Sequence, residues 1–379
     1  MKRTIILFIF CFCLLSNTTT THAEGTSSSI TDSSTVTKYS DSTPYQYPIV
    51  PGTEAWKSFT TVNQMVEACQ IPTIKLKNMT TEALLETVLD YPLLLHYKAY
   101  DSIEKSIEIM SASFNGFSEL FLREDVTSVL LNKYSTAYVA QENDSEDCTP
   151  ELFFESSTVE FLLASNEILN GEMSIDDNSK FFTIHMRKNT ERSESGLYST
   201  HSNVYDTFGY TNSSNTLMSS RPSFNSVPDG TIKTPKGNDV RWVQICTVDF
   251  TSTEKTKWNQ HFDELYPLAT RIGSTTGMYN CHSYAWHSRS IYNTYVLTNG
   301  DDYIKDKSYI KYTGTPYSGV IVVYGNVDHS AVCTGQTHAT GEPYVKSKWS
   351  SFGLYQHHLS YCLSAMTGTP TYTYYKANY

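Results

Sequence analysis

The sequence predicts an α+β protein, and two observations carry the prediction. Apolar residues recur at helical spacing between residues 44 and 172, and short β-prone runs bounded by turn residues dominate from residue 173 onward. The 379-residue chain is long enough for two or three domains. We therefore expect an α-helical domain over 44–172, a β-rich region over 173–250 and a third domain over 251–379.

The N-terminus has the pattern of a secretory signal. Lys2 and Arg3 precede the apolar run 5–15, and small residues lead to Ala23. Residues 1–23 are therefore a predicted signal peptide, and the mature protein is expected to be secreted or extracellular, in the cell envelope. Residues 24–43 are rich in Ser and Thr and predict a disordered leader. No other stretch is long and apolar enough to predict a transmembrane segment.

Charge and cysteine content narrow the function further. The formal net charge of −11 argues against nucleic acid as a partner. Beyond the signal the sequence has an even number of cysteines, which could form three disulfides, although their density is too low for a disulfide-rich scaffold. We expect at least one of them to be kept for reactivity. They are Cys69, Cys148, Cys246, Cys281, Cys333 and Cys362.

Four helices are predicted between residues 44 and 172. The second can be capped by Asp101, with Glu104 completing a capping box. The fourth is expected to begin at Thr149-Pro150 and to end at Gly171. The apolar stripes are Leu84, Leu85, Val88 and Leu89; Ile103, Ile107, Met110 and Phe114; Val126, Val129, Leu130 and Tyr134; and Phe161, Leu162 and Ile168.

Beyond residue 173 the pattern favours strands. Runs 181–186 and 241–250 predict strands of the middle region, while 191–226 has no sustained period and is left without assignment. The last third predicts a helix over 256–265, a helix start at Cys281, and three strands. These strands cover Gly319 to Tyr324, His329 to Cys333 and Tyr344 to Trp349, with a turn at Gly325-Asn326 between the first two.

Cys281 is the candidate nucleophile. A thiol attacks as a thiolate, and the start of a helix favours the thiolate. His329, at the start of a strand, is the expected general base, supplied from another part of the fold. His282 and His287 are interpreted as bystanders, because neither is three or four residues from Cys281 along the helix.

The segment Tyr279-Asn280-Cys281, the strand Gly319 to Tyr324 and the strand His329-Ser330-Ala331-Val332 together resemble papain-like cysteine peptidases and amidases of the NlpC and CHAP groups, which are bacterial cell-wall hydrolases. The resemblance covers the final third and implies a papain-like domain, in which a helix packs on an antiparallel sheet. It implies Cys281 as nucleophile, His329 as base, and Tyr279 with the Cys281 backbone N–H as oxyanion donors. Ser347 is the predicted third catalytic residue.

Several alternatives stay open. His357 is a second candidate for the third residue, and Cys281 could instead form a disulfide with Cys333 or Cys362. The spacings of Cys and His match no common zinc site, so no metal or cofactor is predicted. The expected function is hydrolysis of an amide bond in a peptidoglycan peptide or a protein through an acyl-thioenzyme. The alternatives are acyl transfer to an amine, and a non-catalytic binding or adhesion module that retains the fold. The oligomeric state is left open.

Overall fold

The computed structural model describes residues 39–100, 103–144, 148–171, 173–197, 224–325, 329–362 and 371–379. Within these residues the chain combines helices with antiparallel sheets, so the predicted α+β class is confirmed. The predicted signal peptide and Asp101 lie outside them. Among the described helices, none has both the length and the hydropathy to cross a bilayer.

The end of the predicted leader is ordered. The backbone N–H of Asp41 donates to the carbonyl of Asn78 at 2.9 Å, and the Asp41 carboxylate accepts from Lys75 Nζ at 2.7 Å. The prediction of disorder is therefore wrong for residues 39–43. Its physical reason is that a polar segment with nothing to bury can still be fixed by backbone pairing and an ion pair.

Short helices make up residues 54–195, and the four predicted helices are confirmed. The fourth is divided at Phe154; the Thr149 side chain accepts from the backbone N–H of Leu152, and the last turn ends at Gly171, whose φ of 93° favours glycine. The helices are α1 (Glu54–Lys57), α2 (Val62–Ala68), α3 (Thr73–Asn78), α4 (Thr81–Leu89), a 3₁₀ helix (Leu94–Ala99), α5 (Ile103–Ser113), α6 (Asn115–Leu120), α7 (Val126–Thr136), α8 (Pro150–Phe153), α9 (Glu155–Asn170) and α10 (Ile175–Ser195).

Helix α10 corrects the strand predicted over residues 181–186. That segment is helical, and the buried side of α10 carries Phe181 and Ile184 but also His185, Lys188 and Arg192. These residues follow helical spacing, yet the charged ones are buried in a polar network and not in an apolar core. A pattern of apolar residues alone therefore missed the helix.

The strands form two antiparallel sheets in the described residues. The small sheet has the order β1 (Phe224–Ser226), β2 (Val243–Cys246), β4 (Tyr295–Leu297). The seven-stranded sheet has the order β3 (Thr270–Gly273), β9 (Leu354–His358), β8 (Pro343–Lys348), β7 (His329–Thr337), β6 (Ile321–Tyr324), β10 (Tyr372–Ala377), β5 (Tyr309–Tyr312). Strands β6, β7 and β8 confirm the three strands predicted in the last third, and β2 confirms the core of the run 241–250. Asn326 of the predicted turn lies outside the described residues.

The large sheet has two covered faces. On one face Val322, Tyr324 and Ala331 join the core of the helical region. Helix α11 (Ser252–Leu265), which confirms the helix predicted there, lies in this core; its Trp258 ring stacks on Phe154 with ring centroids 3.8 Å apart. Residues 39–379 consequently form one compact unit.

The other face of the large sheet belongs to a second, smaller core. Ile321 and Val332 alternate with the residues of the first face, as strand geometry requires, and they pack with Trp286 and Leu297. This core lies between the large sheet and the small one, and a short helix α12 (Asp301–Lys305) adds Tyr303 to it. The segment that carries Cys281 belongs to this side of the sheet.

Candidate active site

Cys281 lies at the start of a short helical segment, as predicted. Cys281 and His282 form its first turn, which continues as a π helix, Ser283–His287. Asn280 caps the segment: its Oδ1 accepts the Ser283 N–H at 3.0 Å, and its Nδ2 donates to the carbonyl of Leu297 in β4 at 2.7 Å. Cys281 is thereby fixed relative to the small sheet. Single π turns within helices often occur at functional sites.

A serine of β7 ties this helical segment to the large sheet. Ser330 Oγ lies 3.0 Å from Trp286 Nε1 and 3.0 Å from His282 Nδ1. The indole N–H is only a donor, so Ser330 accepts that bond and can donate its own proton to His282. The residue next to His329 in sequence therefore positions the residue next to Cys281.

The Cys281 thiol is buried and acidic. Burial alone would raise its pKa, but the charges of His282 and His329 and hydrogen bonds from both side chains lower the pKa from 9.0 to about 6. Its side chain is almost inaccessible, with an exposed fraction of 5% for the residue. A thiolate is consequently the favoured form of Cys281 at neutral pH.

The other cysteines behave in the opposite way. Burial raises the pKa of Cys69 and Cys333 to about 12 and that of Cys246 to about 11, and it also raises the pKa of Cys148. Cys281 has a free thiol, so the alternative in which it forms a disulfide with Cys333 or Cys362 is contradicted. Cys281 differs from these four cysteines because His282 and His329 lower its pKa.

His282 corrects an expectation. Although adjacent residues on a helix point about 100° apart, the His282 side chain is long enough to reach the sulfur, and its charge is the largest of the influences that lower the Cys281 pKa. The interpretation of His282 as a bystander considered only neighbours three or four residues away and is therefore wrong. His287 packs edge-on against Tyr295, with ring centroids 5.5 Å apart.

His329, the predicted base, approaches Cys281 from the first position of β7. It pairs across the ladder with Tyr324, and the two rings meet edge to face with centroids 5.0 Å apart. The residue is buried, and its Nε2 has no hydrogen-bond partner among the described residues. The structure thus brings Cys281 and His329 together, and it leaves one buried ring nitrogen of His329 available.

Ser347, the predicted third residue, has other partners. His357 Nδ1 faces the carbonyl of His358 at 2.9 Å, so that nitrogen carries the proton and Nε2 accepts a bond from Ser347 Oγ at 2.7 Å. Ser347 in turn accepts the Trp349 indole N–H at 3.0 Å. Burial lowers the pKa of His357 to about 3, so its ring is neutral. In the described residues Ser347 and His357 hydrogen-bond to each other and not to His329.

Tyr279 lies between Cys281 and an open cleft. Burial and the nearby Tyr284 raise the pKa of Tyr279 to about 12, so its hydroxyl keeps its proton and can donate. The cleft has a volume of about 370 Å³. One wall is the segment 273–279 and the other is 291–294, and Asn293 of the second wall donates to Ser283 Oγ at 2.8 Å. Both walls are therefore attached to the segment that carries Cys281.

Lys348, at the end of β8, is a residue that the sequence interpretation missed. It is fully buried, and its Nζ donates to the carbonyls of Thr276 at 2.7 Å and Ser350 at 2.9 Å. Burial lowers the pKa of Lys348 to about 7, against the opposing influence of Asp249 and Cys281. The polar run Lys346-Ser347-Lys348 gives no indication of this burial, which follows from the position of β8 inside the sheet.

Neither a metal-ligand cluster in the described residues nor a similar protein indicates the function of this site. Among the described residues there is no group of three or more His, Cys, Asp or Glu side chains placed to hold a metal ion. No family model matches the chain, and comparisons with curated proteins and with solved structures give no match. Its function must be argued from the geometry.

Proposed function

We propose that the protein is a cysteine hydrolase, a papain-like peptidase or amidase in which Cys281 attacks the carbonyl carbon of an amide. The observation that carries this proposal is the lowered pKa of Cys281, about 6, in a chain where burial raises the pKa of four other cysteines. A structural cysteine has no need of two imidazoles, whereas a nucleophile needs a thiolate and a proton donor nearby.

The reaction proceeds in two steps. The Cys281 sulfur forms a bond to the acyl carbon, the carbon–nitrogen bond breaks, and an imidazolium gives its proton to the leaving amine. The neutral imidazole then takes a proton from water, whose oxygen attacks the thioester; the carbon–sulfur bond breaks, the acid is released, and the thiolate and imidazolium are restored. His329 is the proposed proton carrier because its Nε2 has no partner among the described residues. The Cys281 backbone N–H and the Tyr279 hydroxyl are the proposed oxyanion donors.

The papain-like assignment is supported by the order of the elements. Cys281 begins a helical segment that packs on an antiparallel sheet, and His329 begins β7, which pairs with β6 immediately before it in the chain. This is the arrangement that the resemblance to the NlpC and CHAP groups implies for the final third of the sequence. The proposed substrate is a cell-wall peptide, and the proposed location is the cell envelope; the predicted signal peptide supports both.

The test uses soluble muropeptides from purified peptidoglycan, incubated with the full chain and analysed by mass spectrometry. The wild type is expected to release a new amine and a new carboxylate, or, in the presence of an added amine, a new amide. Cys281→Ala should abolish these products, and Cys148→Ala, which removes a partly exposed thiol, should retain them. Products that persist in Cys281→Ala would contradict the assignment of the nucleophile.

One observation favours a second candidate, the non-catalytic binding module. Cys281 is 5% exposed, which limits the approach of a substrate. A binding module would retain the muropeptides unchanged, and Cys281→Ala would bind them as the wild type does. Cleavage by the wild type would exclude this candidate.

A further inference from the structure

Lys348 is a buried cation with no ion-pair partner among the described residues. Three other buried cations of the described residues are paired, Arg192 with Glu160, Arg123 with Glu119, and Lys188 with Glu191, and buried Lys257 donates to the carbonyl of Cys148. Lys348 instead has two backbone carbonyls as acceptors. Because burying an unpaired charge is costly, an uncompensated lysine in the core calls for an explanation.

The largest electrostatic influences on Lys348 in the described residues come from Asp249, Cys281, Cys246 and Lys255, and the centroid of the Tyr279 ring lies 5.0 Å from Nζ. The Asp249 carboxylate is already occupied: it accepts from Lys255 Nζ at 2.6 Å, from Thr276 Oγ1 at 2.7 Å and from the backbone N–H of Gly277 at 2.8 Å. The burial that raises the pKa of Cys246 keeps that thiol neutral. Asp249 has the larger favourable influence on the Lys348 ammonium but also neutralises Lys255, and the Cys281 thiolate is the second anion that balances Lys348.

We propose that Lys348 is a further polar residue of the Cys281 site, beside His282 and His329: a positioning residue whose ammonium adds to the charge that balances the buried thiolate and holds the Thr276–Tyr279 segment in place. This role deepens the proposed function and rests on Cys281 being its nucleophile. It takes the place that the sequence interpretation gave to Ser347, whose hydrogen bonds go to His357 and Trp349.

Two contacts of Lys348, with Thr276 and with Tyr279, explain how it can influence Cys281. The bond to the Thr276 carbonyl fixes one wall of the cleft that Tyr279 also lines, and the contact with Tyr279 is within the range of a cation–π interaction. Lys348 therefore acts through Cys281 and Tyr279, and it is not itself expected to contact substrate.

The experiment follows the thiolate of Cys281 directly. The alkylation rate with iodoacetamide is measured from pH 4 to 10 on the full chain, with Cys281 quantified by peptide mapping. Lys348→Met is expected to move the midpoint up by about one pH unit, which slows labelling about tenfold below the midpoint. Lys346→Met is the matched control, because it removes a partly exposed lysine from the same face of β8. Lys348→Arg keeps the charge and should fall closer to the wild type than Lys348→Met.

An unchanged midpoint in Lys348→Met, or an equal change in Lys346→Met, would overturn the proposal. If Lys348→Met does not fold, the titration of the Lys348 ¹³Cε resonance is followed in wild type before and after Cys281 is alkylated. The proposal expects the Lys348 midpoint to fall once the thiolate is removed, and a constant midpoint would contradict it. These readouts need no substrate, so failure of the muropeptide assay leaves them interpretable.

Discussion

Two buried clusters of this protein both contain charged side chains, but they are built differently. In the helical region Glu160 of α9 lies 2.5 Å from Arg192 of α10 and hydrogen-bonds to the Tyr134 hydroxyl. In the large sheet, Lys348 donates to two backbone carbonyls and contacts the Tyr279 ring, and the Cys281 thiol has two imidazoles near it. In the first cluster the charges of Glu160 and Arg192 neutralise each other. In the second, the ionised Cys281 thiol is one of the anions that balance the charge of Lys348.

The comparison shows two roles of buried charge: one cluster stabilises the fold, and the other stabilises a reactive thiolate. A buried ion pair whose members satisfy each other fixes a packing arrangement, and removing one member leaves the other charge uncompensated. A buried lysine and a thiol with a lowered pKa instead hold a reactive state in place. The two clusters should therefore respond to substitution in opposite ways, one in stability and the other in thiol reactivity.

The largest expected effect is on stability. Glu160→Gln would leave Arg192 buried without its carboxylate and should lower the free energy of unfolding by about 3 to 5 kcal/mol, measured by urea denaturation. The midpoint for alkylation of Cys281 should not change. Glu108→Gln, which removes an exposed ion pair with Lys105, is the control and should have little effect. A loss of less than about 1 kcal/mol in Glu160→Gln would show that the helical cluster is not self-contained.

The imidazoles of the site should affect reactivity. His282→Ala and His329→Ala each remove a charge and a hydrogen bond from the thiolate, so each should raise the pKa of Cys281 by about one unit and slow alkylation at pH 5.5 about tenfold. His287→Ala should leave the pH profile of alkylation unchanged. If only His329→Ala slows alkylation, His282 does not contribute to the reactivity of Cys281.

The cap of the Cys281 segment should have a smaller effect. Asn280→Ala removes the acceptor of the Ser283 N–H and should lower stability by about 1 kcal/mol, measured by thermal unfolding. The exposed Asn299, which accepts the Asp301 N–H, provides the comparison Asn299→Ala. Equal losses in the two variants would mean that the Cys281 segment is held no more tightly than a surface turn.

The smallest expected effect is on the stability of the protein at low pH, through Asp249. Although burial opposes it, hydrogen bonds from Lys255, Thr276 and Gly277 lower the pKa of Asp249 below 3.8. Since the folded state favours the ionised carboxylate, its contribution to stability is present above about pH 4 and is lost as the pH falls through the lower value. The thermal midpoint of Asp249→Asn should therefore change less than that of wild type between pH 5 and 3. A parallel decline in both proteins would assign the acid sensitivity to other groups.

The sequence predicts most of the local structure where one face of an element is apolar. Leu84, Leu85 and Val88 of the predicted helical stripe are buried, and so is most of the apolar run Ile321–Tyr324 of the predicted strand. The sequence does not predict helix α10 because its buried side carries Lys188 and Arg192, which resemble solvent-facing residues until their partners Glu191 and Glu160 are known. Periodicity detects apolar burial, and it does not detect polar burial.

Only part of the candidate site can be predicted from the sequence, because some of its residues are polar and buried. The helix start at Cys281 and the strand start at His329 follow from local sequence and are present in the structure, whereas their pairing is what the family resemblance implies. His282 and Lys348 depend on side-chain reach and on the order of strands in the sheet, which the sequence does not contain. Ser347 was chosen from strand order alone, and its hydroxyl hydrogen-bonds with His357 and Trp349.

The most direct test of the central claim is a titration of the Cys281 thiolate by its ultraviolet absorbance, as the difference between the wild type and Cys281→Ser. This readout does not depend on reagent access to a buried sulfur. A midpoint at about 6 is the expected result, and Cys69, Cys246 and Cys333, whose pKa burial raises to about 11 or 12, should not titrate over the same range. A midpoint near the ordinary thiol value of about 8.5, or above it, would contradict the assignment of Cys281 as an activated nucleophile.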